Sequence, residues 1–333
     1  MTRRPGWLLL GLGAFSLACL CLAPLLGAER IAIPRALSDW FTAEPEAWSD
    51  HGRIFALRVP RVLLAWLSGG ALAVAGATMQ TLLRNGLATP YTLGVSTAGT
   101  FGAFLCLAFP TAAASWWMLP RFAALIFALA ATMLVLAVAR RSPRSDGLIL
   151  AGVTLNFLFG AALMLVRYLA DPYRLAVLDR WLMGSLDVVG YRTPLGLIPW
   201  LVGGLLLLVR LTPALDQLAF DTELASARGF DPKRAQRTGL LAASLLAAAV
   251  VAHSGPIGFI GLLVPHALRR FTGMRHGLML PACWLLGSGF LVLADLCARS
   301  LELFGRHSDL PVGILTALVG GPFFLLLLIR ERT

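Results

Sequence analysis

The chain has 333 residues, of which 58% are hydrophobic and only 14% are charged, and its mean hydropathy is +0.78. A soluble globular protein carries about 25% charged residues, so the composition excludes that class and predicts an integral membrane protein. The net charge of +11 comes from arginines in short loops rather than in a stripe interleaved with aromatic residues, which argues against a nucleic-acid partner and for membrane lipid.

Ten apolar segments follow one another along the chain, and most are close to the 20 residues that a membrane-spanning helix needs. They predict an all-α polytopic membrane protein in which residues 1–333 form a single transmembrane domain. The eighth segment is short and is separated from the seventh by Gly255-Pro256, which predicts a half-helix buried among the others. The predicted spans are 7–27, 61–82, 92–110, 113–139, 147–168, 195–213, 237–256, 257–271, 279–300 and 311–330.

The orientation is predicted from the arginine-rich short loops at 140–144 and 269–275. An even number of spans puts both termini on the same side of the membrane as these loops. Because cytoplasmic loops are enriched in basic residues, that side is predicted to be the cytoplasm. Arg3-Arg4 and the following apolar run could form a cleaved signal peptide, but the length of the run favours a retained first helix. Residues 28–60 then form an outer-face loop, with a short helix at the membrane surface, and 214–236 lie in the cytoplasm.

Ionisable residues are scarce within the predicted spans. Asp295 and Arg299 stand four apart on one helix face, which predicts an ion pair, and His253 and His266 are interpreted as packing residues held by hydrogen bonds. The scarcity of ionisable groups in the spans argues against an ion-coupled secondary transporter, which remains the alternative function. The five cysteines lie in apolar runs with neither metal-ligand nor disulfide spacing, so no metal site is predicted.

The cytoplasmic stretch 214–236 contains helix start and stop signals. Asp221 precedes a short helical run, Gly229 can end it in the left-handed conformation, and Asp231-Pro232 can begin the next helix. The pattern predicts two short helices with a tight break. Both a solvated loop and a rigid docking surface for a soluble partner fit these signals.

Two arginines flank Pro60 where the second span begins, in Arg58-Val59-Pro60-Arg61. They could anchor the helix at lipid head groups, or they could present guanidinium groups to carboxylates of a partner. The sequence alone leaves both interpretations open. Small residues at 69–77 within the same span predict close approach of helix backbones.

The chain contains no phosphate-binding loop of the Gly-x-x-x-x-Gly-Lys-[Ser/Thr] type, because its only lysine, Lys233, lies in a Phe-Asp-Pro-Lys-Arg run. No enzyme active site is evident either, although a membrane enzyme or an assembly factor remains a rival class. ATP-driven transport would therefore require a separate ATPase subunit.

Several ordered motifs together resemble the FecCD family of ABC importer permeases, which includes vitamin B12 permeases, and the resemblance covers essentially the whole chain. The motifs are Arg58-Val59-Pro60-Arg61, 76–85 with Leu87-Ala88-Thr89-Pro90, Leu93-Gly94-Val95, Leu150-Ala151-Gly152-Val153, 181–186, 255–262 with Val264-Pro265-His266, Leu310-Pro311-Val312-Gly313 and Gly321-Pro322-Phe323-Phe324.

The resemblance implies a type II ABC importer permease of ten transmembrane helices in the bacterial inner membrane. Such a permease is not an enzyme. It pairs with a second copy, here most simply as a homodimer, and binds two cytoplasmic ATPase subunits that hold ATP and Mg²⁺. It receives an iron chelate (a siderophore complex), haem or cobalamin from a periplasmic substrate-binding protein.

The resemblance also implies residue roles. Binding-protein docking falls to Arg58, Arg61 and Arg299. ATPase coupling falls to about 215–236, with Asp221, Glu223, Ala225, Arg228, Gly229, Asp231 and Pro232. The cytoplasmic gate falls to Asn85, Gly86, Leu87, Ser145 and Asp146, and structural roles to Gly255, Pro256, Pro265, His266, Asp295 and Pro322. Two positions depart from the family pattern: Gly86 replaces a usual proline, and Arg228 a common leucine.

Overall fold

The computed structural model describes residues 5–42, 47–109, 118–141, 147–303, 306–307 and 310–330. This part of the chain is a bundle of thirteen α-helices with one β-hairpin, whose two strands have two residues each. The helices are α1 (Pro5–Leu22), α2 (Ile33–Thr42), α3 (Asp50–Leu82), α4 (Val95–Ala108), α5 (Leu119–Arg141), α6 (Gly147–Leu169), α7 (Pro172–Leu182), α8 (Arg192–Leu218), α9 (Thr222–Ala227), α10 (Pro232–Ser254), α11 (Ile260–Thr272), α12 (His276–Ser300) and α13 (Val312–Arg330), and the strands are β1 (Glu302–Leu303) and β2 (Arg306–His307).

Each of the ten predicted spans coincides with one helix, and the all-α prediction is confirmed. Among the described residues, seven helices are long and apolar enough to cross a membrane: α1, α3, α5, α6, α8, α10 and α12. The helices α4 and α11 have 14 and 13 residues, or about 20 Å each, which is short of a hydrocarbon core of about 30 Å. Both are largely buried among other helices, as the sequence predicted for the eighth span.

The central helix of the bundle is α3, which has 33 residues and packs against α8, α10, α11 and α12. Ser49 caps its start by accepting a hydrogen bond from the backbone N–H of Gly52. Because the helix runs roughly 30 Å from Arg61 to its end, it connects the two ends of the bundle. We call them the arginine end, with Arg58 and Arg61, and the α9 end.

Glycines allow α3 to touch its neighbours backbone to backbone. A Cβ atom placed on Gly76 would lie 1.9 Å from the carbonyl oxygen of Gly261 in α11, and one on Gly69 would lie 2.2 Å from that of Gly287 in α12. No side chain fits in such gaps. The prediction that small residues permit close helix approach is therefore confirmed.

The loop before α3 contains the predicted short helix, α2, which packs on α3. The ring of Trp40 meets Phe55 edge to face at 5.5 Å, and the carboxylate of Asp39 accepts a hydrogen bond from the backbone N–H of Ser49 at 3.1 Å. These contacts fix α2 beside the start of α3, close to the predicted docking arginines.

Candidate docking, coupling and gating sites

The three predicted docking arginines line one groove at the arginine end. The groove has a volume of about 600 Å³, and its walls include Arg58 and Arg61 from α3, Arg299 from α12 and Asp187 from the segment between α7 and α8. The sequence motif paired only the first two, so the fold brings in the third from the far end of the chain.

Arg61 binds two carboxylates at once. Its Nε donates to the two carboxylate oxygens of Asp295 at 3.0 and 3.1 Å, and its Nη2 lies 2.9 Å from Oδ1 of the same residue. Its Nη1 donates to Oδ1 of Asp187 at 2.5 Å. Asp295 is buried, with 1% of its side chain exposed, whereas 35% of the Asp187 side chain is exposed.

The other two arginines of the groove are held by backbone carbonyls. Arg58 is half-buried and donates from Nη2 to the carbonyl oxygen of Glu29 at 2.8 Å, and Arg299 donates to that of Ala23. The ion pair predicted between Asp295 and Arg299 is present but long, at 3.7 Å. The shorter partner of Asp295 is Arg61 on a neighbouring helix, because that guanidinium meets the carboxylate side by side.

Asp187 and Arg180 were missed by sequence reasoning. Oδ2 of Asp187 pairs with Nη2 of Arg180 at 2.7 Å, so the carboxylate bridges α7 and α3. No local sequence pattern indicates this bridge, because its arginines lie on separate helices.

At the α9 end, the predicted helix start at Asp221 and the predicted helix stop at Gly229 are both present in the structure. Asp221 caps α9 by accepting from the backbone N–H of Glu223 at 2.8 Å, and Gly229 follows the helix with φ +84°. The backbone N–H groups of Gly229 and Phe230 donate to the carbonyls of Ser226 and Ala225, which is a Schellman ending. Ala225 is fully buried and anchors α9, whereas Asp221, Glu223, Arg228 and Asp231 are exposed.

The second of the two predicted short helices is not a separate element. Asp231 caps a helix by accepting from the N–H groups of Lys233 and Arg234 at 2.9 and 3.1 Å, and Pro232 occupies its first turn. That helix is α10, which continues unbroken to Ser254. The start signal was correct, but nothing after it stops the helix before the membrane span.

The predicted gate turn follows the end of α3. Oδ1 of Asn85 accepts from the backbone N–H of Leu87 at 2.8 Å, and Leu87 is exposed. The turn begins with Arg84, whose backbone is in the left-handed conformation at φ +48°, which is unusual for a residue other than glycine. Arg84 also donates from Nε to the carbonyl of Leu218 at 3.3 Å, tying α3 to the end of α8. Ser145 and Asp146, the other predicted gate residues, lie outside the described residues.

A polar chain in which His276 and Thr81 are buried joins three helices at the α9 end. The carboxylate of Asp216 on α8 accepts from the backbone N–H of His276 at 2.6 Å and from its ring Nδ1 at 2.8 Å. The ring Nε2 of His276 lies 2.7 Å from Oγ1 of Thr81 on α3. Asp216 therefore caps the start of α12 from another helix, a contact that the sequence did not predict.

A second polar link holds α11 to α3. Gln80 accepts from Nη2 of Arg269 at 2.9 Å and donates to the carbonyl of Gly261 at 3.2 Å. Arg269 lies near the end of α11 and Gly261 near its start, so one side chain of α3 secures the whole short helix.

A cavity of about 810 Å³ lies between these two ends of the bundle. Its lining is mostly apolar, with polar groups from the stretch 89–96. The lining comes from the turn after α3, the break between α10 and α11, the end of α7 and the face of α13.

Three glycine backbones meet beside this cavity, in what we call the three-segment junction: residues 181–185, 254–257 and Gly313. The N–H of Gly313 donates to the carbonyl of Gly184 at 3.1 Å, and the N–H of Ser185 donates to that of Ser254 at 2.9 Å. A Cβ on Gly255 would lie 2.1 Å from the carbonyl oxygen of Trp181. The backbone polar groups freed by the helix break are thus partly satisfied within the protein.

The remaining predicted structural residues lie near this junction or on the helices after it. Pro256 lines the cavity, Pro265 is buried within α11 and His266 on the same helix is half-buried, whereas Pro322 is exposed on α13. His253 is buried, and its Nδ1 lies 2.8 Å from the carbonyl oxygen of Ala249, in agreement with its interpretation as a packing residue. Within the described ranges, no group of three or more histidine, cysteine or acidic side chains could hold a metal ion.

A helical membrane bundle with a charged groove at one end, an exposed short helix at the other and an apolar cavity between them has the architecture of a transport permease. The sequence profile of the FecCD transport family matches residues 15–330. The chain therefore belongs to the FecCD transport family, and the resemblance noted from the motifs is confirmed.

Individual relatives match over most of their length. The vitamin B12 import system permease protein BtuC of Vibrio cholerae is 37% identical, with 99% of this chain and 95% of that protein covered. The hemin transport system permease protein HmuU of Yersinia pestis is also 37% identical, with 83% of each chain covered. A solved structure of an inward-facing metal-chelate type ABC transporter is 28% identical, with a TM-score of 0.83 over 98% of this chain and all of that one.

Proposed function

We propose that the chain is the membrane-spanning permease subunit of an ATP-driven importer for a metal chelate, haem or cobalamin. The observation that carries the proposal is α9, an exposed short helix that packs on the bundle through the buried Ala225. It presents the exposed side chain of Leu224, and the exposed Phe220 precedes it in the chain. A capped, rigidly anchored helix with exposed apolar residues suits docking of a soluble subunit. ATP and Mg²⁺ would bind to that subunit.

Movement of α9 would be transmitted into the bundle through the contacts at its base. Arg84 joins the end of α3 to the end of α8, and Asp216 on α8 caps α12. Both α3 and the neighbouring α11 contribute to the cavity wall. Closure of two ATPase subunits would therefore shift the helices around the cavity and open it to alternate sides of the membrane.

At the other end, the groove with Arg58, Arg61 and Arg299 would receive acidic residues of a substrate-binding protein. Its distance from α9 along α3 supports opposite faces for the two partners. In the proposed orientation, the groove would face the periplasm and both chain termini would face the cytoplasm, across the bacterial inner membrane. Exposed apolar residues on α6 and α13, such as Phe157 and Leu318, suit contact with lipid and with a second copy in a homodimer.

Arg58→Glu tests the docking role, because Arg58 is bound only to backbone carbonyls among the contacts described above. Arg61→Glu would also strand the buried Asp295, so uptake lost on reversing both charges would mix docking with folding. We expect Arg58→Glu to insert normally and to abolish uptake. Arg53→Glu, an exposed site on the same helix, is the matched control. Normal uptake by Arg58→Glu would contradict the docking assignment.

Reconstitution tests the class of transporter. The chain should copurify with an ATPase whose hydrolysis rises when the periplasmic binding protein is added. Substrate transport by this chain alone in proteoliposomes, driven by an ion gradient and indifferent to ATP, would instead establish the secondary transporter.

A further inference from the structure

Arg61 holds two carboxylates that differ in depth. Asp295 is buried on α12, whereas Asp187 lies at the groove with about a third of its side chain exposed. The two carboxylates therefore differ in their access to an incoming partner.

The guanidinium edges of Arg61 are divided between them. Nε and Nη2 face Asp295, and Nη1 faces Asp187. Since a guanidinium group donates only within its own plane, and Asp295 occupies its Nε–Nη2 edge, a carboxylate that arrives through the groove would compete with Asp187 for Nη1.

Asp187 is also arranged to leave this position without losing all its partners. It lies in the non-helical segment between α7 and α8, and its other oxygen pairs with Arg180 at 2.7 Å. Arg180 is exposed, so the pair can persist at the protein surface after Asp187 has released Arg61.

We propose that Asp187 is a place-holding carboxylate that occupies Arg61 in the free permease and is displaced by an aspartate or glutamate of the docking protein. The inference rests on the proposed docking function. The partner that would fit this site is an acidic protein surface with one aspartate or glutamate side chain that can reach into the groove beside Arg58. Competition from Asp187 weakens the complex and so favours release of the partner after delivery.

The test measures binding of the substrate-binding protein of the same transport system to the permease–ATPase complex in lipid nanodiscs. Asp187→Asn keeps the shape of the side chain and one acceptor oxygen but removes its charge and its second acceptor. We expect its Kd to fall roughly three- to tenfold, with a larger gain at low salt. The matched control is Asp179→Asn, because Asp179 pairs with Arg167 at 2.8 Å but does not line the groove, and its Kd should not change.

Two further variants separate the possible failures. In an Arg61→Gln/Asp295→Asn background, which leaves no buried carboxylate without Arg61, the gain from Asp187→Asn should vanish; a gain that persists would be a long-range charge effect and would overturn the proposal. Unchanged or weaker binding by Asp187→Asn would do the same, while loss of binding in Arg58→Glu would leave the docking function standing. If Arg58→Glu binds like the unaltered chain, the docking function fails as well.

Discussion

Replacing Asp216 with alanine should destabilise the α9 end of the bundle by about 2–3 kcal/mol. The carboxylate accepts two hydrogen bonds from His276, one from the backbone N–H and one from Nδ1. His276 is buried, and each buried donor without a partner costs about 1–3 kcal/mol. Two such donors would cost about 2–6 kcal/mol together. Because the Asp216 side chain is 32% exposed, water can partly replace the lost carboxylate as acceptor, and we expect a cost near the lower end of that range.

The assay is equilibrium unfolding of the purified protein in mixed micelles, with Asp216→Asn as the matched variant. Asparagine keeps an acceptor oxygen and loses only the favourable charge at the start of α12, which is worth about 0.3–1 kcal/mol. The order of stability should be aspartate, asparagine, alanine. Equal losses for the two variants, or a loss under about 0.5 kcal/mol for alanine, would refute this explanation of the cap.

Two other predictions concern the central helix. Gly76→Ala should cost about 1–3 kcal/mol or more because its methyl group overlaps the carbonyl of Gly261. Gly203→Ala, whose methyl group would meet no described atom within 4 Å, should be neutral or slightly stabilising. Comparable thermal unfolding of both variants would contradict the close contact. Asp295→Ala should cost about 3–5 kcal/mol because it leaves buried arginine charge behind, and adding Arg61→Gln should recover part of this loss. A double variant as unstable as the sum of the two single variants would show that the residues are not coupled.

Local signals were sufficient for the helices and for the coupling segment. The apolar runs located ten helices, and the sequence 221–232 specified a cap, a left-handed glycine and a new start, all of which the structure contains. These features depend on residues within a few positions of one another. The gap between stop and start was predictable for that reason, whereas the length of the helix that follows was not, because α10 is stabilised by packing against α3, α5 and α8.

Pairings across the bundle were beyond local reasoning. Arg61 and Asp295 lie 234 positions apart in the chain, and Asp216 and His276 lie 60 apart. Which partners meet depends on the register of one helix against another, and glycine contacts such as Gly69 with Gly287 set that register. The i, i+4 rule therefore named the nearer partner of Asp295 in the chain, Arg299, rather than the better oriented one.

The three-segment junction limits how the permease can move. Because the backbones at Gly184, Gly255 and Gly313 are in close contact with their neighbours, sliding of the end of α7, the helix break and the start of α13 past one another would break these contacts, and we expect the three segments to move together. Rotation would then be absorbed beside them. A methyl group added at Gly190 would meet no atom of the described residues within 4 Å, and one added at Gly258 would meet only the ring of Tyr91 at 3.9 Å. At these two glycines, the described residues leave room for the backbone to bend beside the junction.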